Sequence, residues 1–248
     1  MTGDDATGGD PARRLSPEEA GELAAVEYGR FGALLAVLDE QDWSRPTECA
    51  PWDVRLLTAH VVGATEANAA LPEMVRQLRR GRRGLAVEVD PVSAFQVDRR
   101  RQLGPAELRA RFARAVPGAV VRRRRWSRWA GMVPMRVGPP VRETWRLRYL
   151  MDVVYTRDVW MHRIDICRAV GRQPELTAGH DGRIVADVVA DWMARHGRPV
   201  DLLLTGVAGG HHVRGRGGDA IVCDAVEFCR IVSGRGAAEG LLGTPVPF

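Results

Sequence analysis

Long segments of apolar residues at helical spacing, opened by caps and closed by Gly or Pro, dominate this chain. They restrict it to a helix-on-helix architecture. "LSPEEAGELAAVEYGRFGALLAVLDE" opens with Ser16 as N-cap, Pro17 in the first turn and Glu19 at the capping-box position. Leu23, Val26, Leu34, Leu35 and Leu38 then share a face, which predicts a first helix over about residues 17–40. "WSRPTECAPW" is a Pro-broken loop, and Asp53 after it caps a second helix, "VRLLTAHVVGATEANAALPEMVRQL". In that helix Leu56, Leu57, His60, Val61 and Ala64 share a face, so His60 points inward. Residues 79–104 read as a long connection, Pro105 opens a third helix to about residue 116, and residues 118–142 read as a loop. Thr144 is the expected cap of a fourth helix running to about Val170, where Gly171 stops it.

The pattern then changes. "DGRIVADVVADWMARHG" is a fifth helix ended by Gly197 and Pro199. "VDLLLTG", "HHVRG" and "DAIVC" read as short strands, and Asp224 with Glu227 opens a last helix. The expected fold class is mainly α: a four-helix bundle followed by a small α+β domain. The expected divisions are a disordered tail over 1–15, a helical domain over 16–175 and the α+β part over 176–248.

Composition narrows the function classes. The chain of 248 residues is 45% hydrophobic and 27% charged, enough apolar content to bury a core. No apolar run approaches membrane-span length, and the Gly-rich, acidic start has no signal-peptide core, so a cytoplasmic protein with no membrane partner is expected. Net charge is +5, and all the basic residues are Arg. The run "RRRRW" (Arg122 to Trp126) stands without a nucleic-acid motif and reads as a solvated, charged loop; drawing in an anionic substrate is its second reading. Cys49, Cys167, Cys223 and Cys229 lack CxxC spacing and read as structural thiols; Cys49 alone lies near a candidate site.

That site sits in "RDVWMHRIDICRA". Val159, Trp160, Met161, Ile164, Ile166 and Cys167 make this a buried helix, yet Asp158, His162 and Asp165 recur at i, i+4 and i+7 on one stripe. An Asp and a His at i, i+4 can grip one metal ion, as the two histidines of HExxH helices do. A third ligand must come from another helix, and His60 is the natural candidate. A His/Asp/His set leaves a coordination position open, the catalytic rather than the structural arrangement. The same residues also fit core histidines with local hydrogen bonds. Asp165 either orients His162 as an outer acceptor or pairs with Arg163 or Arg168.

Two stretches carry a family resemblance. "PTECAPWDVRLLTAHVVGATEA" (46–67) resembles the Trp-then-His signature of the mycothiol-dependent maleylpyruvate isomerase family, within the DinB-like metal-binding four-helix bundles. "RDVWMHRIDICRAVGR" (157–172) resembles its second signature, a carboxylate, three residues, then His-Arg-x-Asp, and the C-terminal "CDAVEFCRIVSGRGAAEGLLGTPVPF" looks like the tail of many members. The resemblance places the family's metal triad on His60, Asp158 and His162, with Asp158 where the family usually has Glu. It implies a divalent ion, zinc being the expected one, and mycothiol as cofactor. The thiol would add as thiolate to maleylpyruvate, and cis–trans isomerisation would follow; Arg99, Arg100 or Arg101 would hold the substrate carboxylates. The implied partners are a small-molecule thiol and a small anionic or electrophilic substrate, on a monomer or homodimer, with no nucleic acid. Two other readings stay open: S-transfer of the thiol to an electrophile, and a bundle that binds metal or ligand without turnover.

Overall fold

Ser16 begins the first helix as its sequence requires. Its hydroxyl accepts from the Glu19 N–H while the Glu19 carboxylate accepts from the Ser16 N–H. In this computed structural model, which describes residues 13–81, 91–137 and 142–248, helix α1 spans Pro17–Val37. Its buried face is Leu23, Ala24, Tyr28, Phe31, Leu34 and Leu35 with Glu27, whereas Val26 is exposed. The buried Glu27 carboxylate accepts from Arg163, so the charge is paired where it leaves water.

Asp53 caps α2 (Val54–Ala69), its carboxylate accepting from the Leu56 N–H. The expected single helix from Asp53 to residue 78 is two. Pro72 cannot continue α2, Ala70 turns to extended backbone, and α3 (Leu71–Gly81) starts anew. Within the expected connection 79–104, Pro91–Asp98 forms α4, and residues 82–90 lie outside the described residues.

The third helix differs most from the sequence expectation. α5 runs Pro105–Ala130 straight through Pro117 and Gly118. One proline removes one N–H, and packing of Phe112 against Phe31 and of Ala119 in the core holds the helix across it. The arginine run is therefore helical, not a loop. Arg123 is buried and donates to the Met151 carbonyl and the Thr156 hydroxyl. Of the rest of the expected loop 118–142, residues 138–141 lie outside the described residues. Thr144 caps nothing: Pro134–Arg136 (β1) and Thr144–Arg146 (β2) pair as an antiparallel ribbon. A π-helical turn, Tyr149–Val154, leads into α6 (Tyr155–Ala169), and Gly171 at φ +69° ends it.

α1 and α2 each pack on both α5 and α6, which closes the four-helix bundle. Leu57, Val61, Leu108, Phe112, Val159 and Ile166 meet in one core. Ser16–Pro174, with Phe248, is one compact unit; Glu175–Pro247, with the described residues before Ser16, is another.

In the second unit α7 spans Arg183–His196 and stops at left-handed Gly197. Strands β3 (Val200–Thr205), β4 (Gly210–Arg214) and β5 (Asp219–Asp224) form one sheet in the order β4-β3-β5. β3 runs antiparallel to β4 and parallel to β5, and alternates buried Val200, Leu202 and Leu204 with exposed Asp201, Leu203 and Thr205. Asp224 caps α8 (Ala225–Val232) by accepting from the N–H groups of Val226 and Glu227. Trp192 of α7 meets Phe228 edge-on at 5.2 Å and donates to the Leu241 carbonyl. Of the expected disordered tail, residues 1–12 lie outside the described residues. Leu15 donates its N–H to Asp187 within this unit. Among the described residues no helix is long and apolar enough to cross a membrane.

Candidate metal centre

The loop before α2 sets the entry of that helix. The Thr47 hydroxyl donates to the Trp52 carbonyl, and the Val54 N–H donates to the Arg45 carbonyl. This places Trp52 over His60, ring centroids 5.4 Å apart and nearly parallel. Two turns into α2, His60 is buried on the face turned toward α6. On α6 the i, i+4, i+7 spacing brings Asp158, His162 and Asp165 to the same side.

The three expected ligands come together. His60 Nε2 lies 3.4 Å, and His162 Nε2 3.3 Å, from the same oxygen, Asp158 Oδ1. The two imidazoles stand edge to face with centroids 5.1 Å apart. Asp165 is fully buried, and its Oδ2 lies 2.9 Å from His162 Nδ1. That contact holds His162 with Nε2 toward Asp158.

Cys49 completes the surroundings. Its thiol donates to Asp165 Oδ2 at 3.2 Å and lies 3.9 Å from His162 Nδ1. Periodicity cannot place a loop cysteine against a helix more than a hundred residues away; the sequence signal is its position just before the Trp-then-His segment.

Electrostatics follow from this crowding. Burial alone would raise the Asp158 carboxyl, but the charges of His162 and His60 and their hydrogen bonds outweigh it and hold the carboxyl below its usual range. Burial alone would lower His162. The Asp158 charge and bonds from Asp158, Asp165 and Cys49 hold it well above the ordinary imidazole value instead.

The donor set fits a divalent cation. One ligand atom from each of His60, Asp158 and His162 lies within 4.8 Å of the others. Asp158 Oδ2 is buried with no hydrogen-bond partner among the described residues, a lone pair that a cation would satisfy. His60 Nδ1 is also buried without a partner, so stacking on Trp52, not an acceptor, orients that ring. Cys49, His162 and Asp165 form a second group with ligand-type atoms equally close, sharing His162.

The three candidate arginines divide. Arg100 is buried and spends its guanidinium on Glu66, Glu73 and the Gln96 carbonyl, a structural role in joining α4 to α2 and α3. That pairing leaves it no free face for a substrate carboxylate. Arg99 and Arg101 are exposed, and the Arg101 guanidinium lies 3.7 Å from Asp98.

Comparison with known proteins bears on this site. The family described as mycothiol maleylpyruvate isomerase N-terminal domain matches residues 24–167, a span that holds all three candidate ligands. Among solved structures, that of the mycothiol-dependent maleylpyruvate isomerase is similar at 19% identity, and that of a His-to-Ala mutant of it at 18%. Each match covers 90% of both chains with a TM-score of 0.59, a likeness of fold. No curated protein matches the chain.

Proposed function

The chain belongs to the mycothiol maleylpyruvate isomerase N-terminal domain family, and from that premise we propose that it is a metal- and thiol-dependent enzyme acting on a small electrophilic or anionic substrate by cis–trans isomerisation. The observation that carries this reading is the pair of Nε2 atoms, from two different helices, set against one buried carboxylate oxygen. A structural zinc site would close the coordination sphere with four protein ligands; three leave room for a ligand from solution.

In this reading His60, Asp158 and His162 hold the ion, with zinc the expected one. When bound, the cation supplies the positive charge that favours a thiolate over a thiol near it. A mycothiol thiolate adding to a cis double bond leaves a single bond free to rotate, and its elimination gives the trans product with the thiol regenerated. The chain's own residues set the conditions. Asp165 keeps the His162 Nε2 lone pair directed at the site. Trp52 walls the His60 side with an apolar face that sheds water. Arg99 and Arg101 remain the candidates for meeting substrate carboxylates, being exposed where Arg100 is not.

The test follows absorbance and free thiol together while the zinc-loaded protein is incubated with mycothiol and maleylpyruvate. Isomerisation predicts that the substrate absorbance changes to that of the trans isomer with the thiol unchanged. Stoichiometric loss of thiol would replace this reading with S-transfer, and no change in either would remove the catalytic reading.

A further inference from the structure

From Leu108 to Arg142 the chain carries ten arginines and no aspartate or glutamate. Its sequence alone reads as solvated charge; the helix gives it a shape. In the second half of α5, Val121, Arg125 and Trp129 recur at i, i+4 and i+8 on one outward row, and Arg124 and Arg128 form the adjoining row. The opposite face, with Phe112, Ala119, Arg123 and Ser127, is the one buried in the bundle. Trp129 is 85% exposed and Val121 61% exposed. The turn after α5 adds Met132 and Val133, both more than half exposed. Arg124, Arg125 and Arg128 are exposed and make no ion pair among the described residues. A groove of about 500 Å³ runs along this face past Arg122, Arg125, Trp126 and Trp129.

An exposed indole, an exposed valine beside it, two more exposed apolar side chains in the next turn and guanidiniums without an ion pair among the described residues mark a docking surface. We propose that this face of α5 and the turn after it docks on an anionic lipid surface, independently of the metal cluster. The chemistry of each residue type fits that occupant. Guanidiniums pair with phosphate oxygens in two-point contacts. Indole prefers the boundary between headgroups and acyl chains. Val121, Met132 and Val133 have a place in the outer acyl layer, as on interfacial helices. A nucleic acid offers phosphates and bases that stack on tryptophan, but nothing that removes three aliphatic side chains from water. A second copy of the same face would set arginine against arginine. With no spanning helix among the described residues, the contact is peripheral.

The experiment is sedimentation of the full chain with vesicles of phosphatidylglycerol and phosphatidylcholine, beside vesicles of phosphatidylcholine alone. Binding to the anionic vesicles only, weakening as salt rises, is expected. The triple variant Arg124→Gln, Arg125→Gln, Arg128→Gln should lower partitioning on the order of a hundred-fold, at roughly five-fold per arginine. Trp129→Ala should lower it with the charge unchanged. Circular dichroism and zinc content should match wild type in both variants, because these side chains are exposed and outside the metal cluster. Equal binding to both vesicle types, or binding to neither, overturns the proposal. So does tight binding of a short oligonucleotide that the same substitutions abolish while the anionic vesicles stay unbound; that result would assign the face to nucleic acid.

Discussion

Asp158 Oδ1 faces the Nε2 atoms of both His60 and His162, and its side chain length sets how closely α6 must approach α2. Replacing it by Glu adds one methylene and keeps a carboxylate there; zinc binding is expected to survive. Asp158→Ala removes the only carboxylate among the three ligands, and two neutral imidazoles offset less of the cation's charge, so zinc affinity should fall while the helices persist. Asp165 works at one remove. Asp165→Asn keeps the shape but loses the charged acceptor at His162 Nδ1, and should weaken zinc binding about 10- to 100-fold with circular dichroism unchanged. The pH dependence follows from the raised His162. Below its raised pKa the imidazole carries a proton on the nitrogen the ion needs, so each pH unit downward should cost about tenfold in zinc affinity. Asp158, held low, is ionised throughout and adds no proton. The decline should therefore begin above the ordinary imidazole range, and a chelator competition between about pH 6 and 8 would show it. A flat profile there would contradict the placement of His162 as a ligand.

At the scale of elements, what is legible in the sequence is what local chemistry specifies. Ser16, Asp53 and Asp224 accept the backbone N–H groups their positions predict, and Gly171 and Gly197 take the left-handed backbone that stops a helix. The inward stripe of α6 and the inward His60 are likewise local periodicity, which is why the three candidate ligands can be named from spacing and family signature. The continuation of α5 through Pro117, the β1–β2 ribbon at Thr144 and the burial of Arg100 are not local. Tertiary packing decides each of them, against a proline, a capping residue and a basic run that point elsewhere. Gly63 shows such packing from inside α2: a Cβ there would stand 2.7 Å from Gln96 Cβ and 2.9 Å from Arg100 Nη1, brought by α4 and the turn after it. Gly63→Ala should therefore destabilise by about 1–3 kcal/mol, read as a lower urea midpoint. Gly29, exposed on α1 with nothing within 4 Å of its would-be Cβ, is the contrast; Gly29→Ala should stabilise by about 0.5–1 kcal/mol. If both changes move stability the same way, the close approach of α4 to α2 is wrong.

For the whole molecule, the family match ends at residue 167, inside the helical unit, while the fold likeness extends over 90% of the chain. The three candidate ligands, the buried Asp165 and the stacked Trp52 all belong to that helical unit, so if they hold zinc as proposed the full chain should gain stability from it. At a free concentration a hundred times its dissociation constant, zinc should add about 2.7 kcal/mol, seen as a melting temperature that falls on adding a chelator. The most direct test is zinc per chain after gel filtration of the wild type, His60→Ala and His162→Ala. The wild type should hold about one zinc per chain. Each variant should hold almost none, with its helical circular dichroism unchanged. Wild-type zinc content in both variants would mean that His60 and His162 are ordinary core histidines and that the metal centre does not exist.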